Sequence, residues 1–301
     1  QVSNRHPKTL LRYPGGKQKL TPFIEALLRE NELIGCDYVE PYAGGAGVAM
    51  ELLFKNYVRK VYLNDKCPQL YAFWSSLKKD PDYFAKRIFD AKLNMTEWSI
   101  QRTIVTNWMD YHEDDVGFAF FYLNRTNFSG VISGGVIGGK NQRGKYKLDA
   151  RFPKERLLSL AKEYSRYVDC IELFNMDAIQ FIREKIPTIQ ENAFLYCDPP
   201  YYRKGQKLYL NAYAHADHAE VAKVLQNEVI TPWVVSYDKE QEIIDLYREN
   251  KCYLFDLQYS ARLKIKAQEL FVLGNTVKLP QCNALLVEKM NLAPISKTYS
   301  L

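Results

Sequence analysis

Residues 38–65 constrain the fold more than any other part of the chain. Tyr38-Val39-Glu40 is a short β-prone run, Pro41–Gly47 a glycine-rich turn, and Val48–Phe54 an apolar helix start. Val58–Asn64 is a second strand that stops at Asp65. Strand, glycine turn, helix, strand and acid is the opening of a nucleotide-binding α/β sheet. Gly44, Gly45 and Gly47 let the backbone approach a ligand closely. A carboxylate can accept two hydrogen bonds from a vicinal diol, so Asp65 suits a ribose; a helix N-cap is the other reading of it.

The rhythm then changes. Pro68 to about Ala150 is aromatic-rich and helical, as over Asp82–Lys92, and its tryptophans and tyrosines are expected to form a small core. Afterwards the alternation resumes. Arg156–Tyr167 reads as helix, Val168–Phe174 as strand, Ala178–Lys185 as helix and Ala193–Cys197 as strand. Ala219–Asn227 reads as helix, Trp233–Tyr237 as strand and Glu240–Asn250 as helix, before a closing hairpin edge of Tyr253–Gln258 and Glu269–Leu273. One α/β domain, residues 1–67 and 151–301, is therefore expected to carry an insertion at 68–150.

Composition excludes several classes. At 301 residues with 47% hydrophobic and 25% charged, the chain is globular in type, neither disordered nor fibrous. No apolar run approaches the ~20 residues of a membrane span, and the first residues lack the apolar core of a signal peptide. Six cysteines without a C-x-x-C pair argue against a zinc site or a disulfide framework and fit a reducing cytoplasm. His215-x-x-His218 lacks a third ligand, so no metal is expected.

Charge is concentrated in one place. The net +6 of the whole chain is matched by residues 120–160 alone, where eight bases face only Asp149 and Glu155. Lys140, Arg143, Lys145 and Lys147 are interleaved there with Gly134, Gly135, Gly138, Gly139 and Gly144. That composition predicts a flexible basic loop able to follow a polyanion backbone; a solvated charged face is the plainer alternative.

Leu195-Tyr196-Cys197-Asp198-Pro199-Pro200-Tyr201 is more specific. Two prolines cannot continue a strand, so the chain leaves the sheet rigidly. The Asp198 carboxylate and the Pro199 carbonyl become a fixed pair of acceptors beside the Tyr201 ring. Two acceptors and a ring fit a planar base that bears an exocyclic amine.

With these motifs the chain resembles the Dam-like DNA adenine-N6 methyltransferases, the alpha group of D-P-P-Y amino-methyltransferases. The likeness runs from Leu10 to about Leu273. Leu11–Lys17 matches the family's N-terminal motif, Tyr38–Val48 its cofactor motif and Leu63-Asn64-Asp65 its acidic ribose position. Phe121–Arg125 matches the start of its target-recognition hairpin, and Leu195–Tyr201 its catalytic motif. The resemblance implies a seven-stranded, Rossmann-like S-adenosylmethionine-dependent methyltransferase fold with an inserted helical and hairpin target-recognition domain. Tyr13, Gly15 and Lys17, with Glu40, Tyr42, Gly44, Gly45 and Gly47, would line the cofactor. Asp65 would bind its ribose and Asp177 its adenine amine, an N-cap being the other reading of Asp177; Asp198 borders the same site. Asp198, Pro199 and Tyr201 would hold the target base. Arg125, Asn127, Phe128, Lys140, Arg143, Lys145 and Lys147 would contact DNA.

The implied protein is a monomer that methylates double-stranded DNA in a bacterial or phage-infected cytoplasm, with restriction–modification as one setting. Two departures from the family pattern stand out. Tyr42 replaces the family's usual Phe, and Ser133 stands where GATC-specific relatives carry a guanine-reading arginine, so GATC specificity is not expected. Other readings of the same motifs are methylation of an RNA base or a glutamine amide, or a DNA-binding protein with an inactive core.

Overall fold

The computed structural model describes residues 9–12, 17–189, 192–203, 213–258, 266–280 and 293–294. The elements begin with helix α1 (Thr21–Glu30), strand β1 (Cys36–Glu40), α2 (Gly47–Phe54) and β2 (Val58–Asn64). A helical stretch follows: α3 (Pro68–Lys79), α4 (Pro81–Asp90), α5 (Met95–Thr106), α6 (Glu113–Thr126) and α7 (Lys154–Ser165). Next come β3 (Ile171–Phe174), α8 (Ala178–Lys185), β4 (Ala193–Cys197), α9 (His215–Asn227) and β5 (Trp233–Asp238). The chain closes with α10 (Gln241–Leu246), β6 (Lys251–Gln258), β7 (Lys266–Leu273) and the two-residue β8 (Ala293–Pro294). The fold is mixed α/β with seven strands of four residues or more among the described residues, as the resemblance implies.

Two compact units divide the chain. The first holds residues 1–21 and 43–177, the second 22–42 and 178–301. Residues 68–150 thus fall inside the first unit, with β2 and the glycine turn from Ala43 onward.

In the first unit, β2 and β3 pair in parallel, Asn64 opposite Phe174. The helices form because their ends are written into the sequence. Asp80 accepts a hydrogen bond from the Tyr83 N–H and Pro81 opens α4; Asn94 does the same for the Glu97 N–H at the start of α5. Glu113, Asp114 and Asp115 crowd the first turn of α6 and Arg125 its last, both favourable to the helix dipole. A Cβ at Gly117 would lie 2.4 Å from the Ala72 carbonyl oxygen, so glycine lets α6 press onto α3. An aromatic core is present, but phenylalanines make most of it: Phe73 stacks on Phe121, and Phe84 and Phe152 meet Phe121 edge-on. Of the expected tryptophans and tyrosines, Trp74, Trp98 and Tyr122 are buried, whereas Tyr83, Tyr111 and Tyr146 are exposed.

In the second unit the strand order is β1-β4-β5-β7-β6-β8. β1, β4 and β5 are parallel, and β7 and β6 run antiparallel. Every residue of β1, β4 and β5 is buried, the pattern of strands covered on both faces. The closing hairpin forms as expected, but β7 inserts beside β5, so only β6 and β8 lie toward the edge. Val168–Cys170, expected as strand, is a 3-10 turn, and the Glu240–Asn250 helix shortens to α10.

Candidate active site

β1 and β4 are neighbouring parallel strands, Val39 opposite Leu195, so Glu40 and Asp198 lie at their carboxyl ends. Ligands of open α/β sheets bind outside such ends. Asp198 is half-buried and its Oδ1 accepts from the Ser236 hydroxyl at 2.8 Å. Ser236 has one proton to give, so the buried Tyr196 hydroxyl, 2.9 Å away, donates to Ser236 in turn. Burial pushes the Tyr196 hydroxyl well above its usual range, and the nearby Asp198 carboxylate adds to this. Cys197 behaves alike: burial first, then Asp198, raises its thiol, which leaves it un-ionised.

The segment after Asp198 is held from two strands. Pro199 is buried. Tyr201 donates its hydroxyl to Glu269 on β7 at 2.7 Å, which fixes its ring. Asp238 at the end of β5 accepts from the Tyr202 N–H at 2.8 Å and the Arg203 N–H at 3.2 Å. A cavity of about 370 Å³ is lined by Tyr202, Arg203, Tyr213 and His215. Tyr42, from the glycine turn, accepts from the Tyr213 hydroxyl at 3.3 Å. Glu40 is buried. His218 is buried among the rings of Tyr202, Tyr213 and Tyr237, and both ring nitrogens lack a partner among the described residues. Burial lowers its pKa to about 4.

Gly44, Gly45, Gly47, Asp65 and Asp177 belong to the first unit. Asp65 Oδ2 accepts from the Gly44 N–H at 3.0 Å and Oδ1 from the Cys67 N–H at 2.9 Å. Burial raises its pKa, opposed by those two bonds. The carboxylate thus ties the glycine turn to the start of α3, which is more than a helix cap does. The turn is strained at Ala46, a non-glycine with φ +46°, whereas Gly44 takes its φ of +48° without steric cost. Asn64 bonds both the Met176 carbonyl and the Met176 N–H, and Asn175 reaches the Asp65 carbonyl, so the ends of β2 and β3 are knitted together. That brings Asp177 near Asp65, with its carboxylate on Lys66 at 3.2 Å. Lys17 is buried in a 3-10 turn. Tyr13 and Gly15 lie outside the described residues.

The expected DNA residues separate into two groups. Lys140, Arg143, Lys145 and Lys147 are exposed, and Phe128 is 58% exposed. Asn127 differs from expectation: it is buried, its amide donates to the Val131 and Ile132 carbonyls, and its oxygen accepts from the Trp98 indole. Every polar atom of that side chain is engaged inside, so it braces the loop. Arg125 likewise bonds the carbonyls of Leu10, Thr9 and Arg151. Burial, with Arg12 and Arg156 nearby, pushes its pKa down to about 9.

The loop also differs from the hairpin expected. Only one antiparallel bridge, Asn127 to Val136, is found there among the described residues. Gln142 instead closes the loop, donating to the Ile137 and Gly139 carbonyls and accepting from the Leu148 N–H. Gly130, at φ +77°, would place a Cβ 2.2 Å from the Arg12 carbonyl, so glycine alone fits there.

Ser236, Asp238 and Glu269 have no counterpart among the residues expected from the sequence. Their signal was polar residues set in apolar strands, as in Trp233-Val234-Val235-Ser236-Tyr237-Asp238.

By fold, this is a mixed α/β protein of the methyltransferase type. More narrowly, the chain belongs to the D12 class N6 adenine-specific DNA methyltransferases, whose family model matches residues 13–261. It is similar to the DNA adenine methylase of Vibrio cholerae serotype O1, with 29% identity over 201 residues, 64% of this chain and 65% of that protein. The chain therefore spans just under two thirds of that relative's length. The Retron Ec67 DNA adenine methylase of Escherichia coli is 25% identical over 252 residues, 80% of each chain. The type II methyltransferase M.MjaIII of Methanocaldococcus jannaschii is 26% identical over 207 residues, 64% of this chain and 69% of that one.

Proposed function

We propose that the protein transfers the methyl group of S-adenosylmethionine to the exocyclic N6 amine of an adenine flipped out of duplex DNA. The observation that carries this reading is the Asp198–Tyr201 segment at the end of β4, with its carboxylate and its ring each fixed by a buried partner. Family membership supports it.

The residues fit the cofactor. Asp65 accepts one N–H at each oxygen, and each oxygen has a further lone pair for a ribose hydroxyl. The strained glycine turn beside it suits a closely approached ligand. Glu40, Tyr42, Gly44, Gly45, Gly47, Lys17 and Asp177 are the further residues assigned to it, with Tyr13 and Gly15 by family position. The cofactor's sulfonium supplies an electrophilic methyl group.

Asp198 and the Pro199 carbonyl accept the two amine hydrogens. They turn the nitrogen lone pair out of the ring plane and stabilise positive charge developing there. Because Ser236 already holds Oδ1, the carboxylate needs no reorientation. Tyr201 stacks on the base and offsets part of the few kcal/mol that flipping costs. Residues 68–150 serve as the target-recognition part, with residues 1–67 and 151–301 carrying catalysis. Lys140, Lys145 and Lys147 lie on DNA phosphates, and Phe128 enters the duplex. The enzyme works in a bacterial or phage-infected cytoplasm.

The target differs from GATC. A bidentate arginine on guanine is worth ~1–3 kcal/mol of discrimination, which the single hydroxyl of exposed Ser133 cannot supply. Arg143, exposed on the same loop, can read a guanine from another backbone position. Exhaustive methylation of random-sequence DNA, read by modification-sensitive sequencing, tests both points. Methyl-adenine in one short non-GATC motif is expected. Complete methylation of every GATC and nothing else would remove the specificity argument, and no methyl-adenine would remove the function.

A further inference from the structure

β5 ends in Ser236-Tyr237-Asp238. Side chains two apart share one face of a strand, so Ser236 and Asp238 face the same way. Glu269 is the direct partner of Asp238 across the antiparallel β5–β7 ladder. Ser236, Asp238 and Glu269 are 0, 5 and 2% exposed. Like charges directly opposed across a ladder destabilise a sheet, and a buried carboxylate is costly unless hydrogen bonds satisfy it. Sheet stability alone therefore disfavours this pair. Both carboxylates are instead bonded to the segment that follows β4. Pro199 and Pro200 have no N–H, and Asp238 takes the N–H groups of Tyr202 and Arg203 just beyond them. Glu269 takes the Tyr201 hydroxyl, and Ser236 holds Asp198 itself.

We propose that Ser236, Asp238 and Glu269 are positioning residues that hold Asp198–Arg203 in a single shape, and that the Asp238–Glu269 pair persists against its own repulsion for that purpose. The inference rests on the methyltransferase reading above. Their part is indirect: they act through Asp198, Tyr201 and the loop backbone.

The test is Asp238→Asn, which keeps the volume but leaves one oxygen for two N–H donors. Amide exchange at Tyr202 and Arg203 should accelerate at least tenfold, while Tm stays level or rises as repulsion with Glu269 is relieved. The kcat should fall at least tenfold, with KM for DNA and Kd for the cofactor within threefold. Glu269→Gln keeps an acceptor for Tyr201 and should retain most of kcat. Glu269→Leu should lose kcat, but add no further loss in a Tyr201→Phe background. Unchanged protection at Tyr202 and Arg203 overturns the proposal, as does a joint loss of protection, Tm and cofactor binding. Amide exchange needs no catalysis, which separates the two readings. A wild type that does not methylate DNA but shows the exchange result removes the functional reading alone; an active wild type with unchanged exchange removes the positioning role alone.

Discussion

The Asp198–Arg203 segment and the 127–148 loop solve opposite problems with similar parts. Around Asp198 the reactive groups themselves are half-buried and held, by Ser236, Glu269 and Asp238. In the 127–148 loop the held groups are the braces: Asn124, Asn127 and Gln142 bond backbone carbonyls inside, while Lys140, Arg143, Lys145 and Lys147 stay outside. Chemistry at one nitrogen needs fixed acceptors in a dry site. Phosphates need only charge of the right sign near the right path. A buried brace therefore supports an immobile active group in one region and leaves a solvated row of charges in the other.

The largest effect that could break this contrast is at Asp198. Asp198→Ala should lower methyl transfer by about 10²–10³-fold or more, the scale for losing an aligned electrostatic partner, with cofactor affinity unchanged by titration calorimetry. Loss of cofactor binding in a folded Asp198→Ala protein would show that the roles are misassigned. Asp65→Ala should do the reverse. A hydrogen bond to a charged group contributes about 1.5–3 kcal/mol, so cofactor Kd should rise roughly ten- to hundredfold. Unchanged affinity would return Asp65 to its helix-start reading.

The surface region should respond to salt where the interior does not. Neutralising Lys140, Lys145 and Lys147 should flatten the slope of log K against log salt by about 0.9 per lost phosphate contact, equally on all DNA sequences. Cofactor affinity should stay the same. An unaltered slope would make the row a solvated face.

The smallest expected effect is on acid stability. His218 has its pKa lowered from 6.5 to about 4 by burial. As pH falls below 6.5 the unfolded chain takes up the proton first, so this contribution to stability is complete above 6.5 and is lost progressively toward pH 4. Chemical denaturation midpoints of the wild type should fall across that window, and His218→Phe should flatten the fall. Parallel curves would show that other groups govern acid unfolding.

Local order was legible in the sequence where the local signal was strong, and less so at Val168–Cys170 and Glu240–Asn250. Ala178–Lys185 and Ala193–Cys197 are where periodicity and the two prolines put them. The D-P-P-Y segment and the glycine turn carry their chemistry in consecutive residues. What stayed hidden depends on partners distant in the chain. Asn127 looks like a loop side chain until the Trp98 indole, 29 residues earlier, closes on it. Arg125 reads as a free base until the carbonyls of Thr9 and Leu10, more than a hundred residues away, take its donors. Asp238 and Glu269 drew no reading from the sequence because the β5–β7 register that opposes them is a tertiary fact.

The central claim is tested most directly by product identity. Wild-type protein and the Asp198→Ala variant are incubated with unmethylated duplex DNA and methyl-labelled S-adenosylmethionine, and the DNA is digested to nucleosides for mass spectrometry. The account predicts label in N6-methyldeoxyadenosine from the wild type and none from the variant. Label in a methylated cytosine, or equal adenine methylation by both proteins, would contradict it.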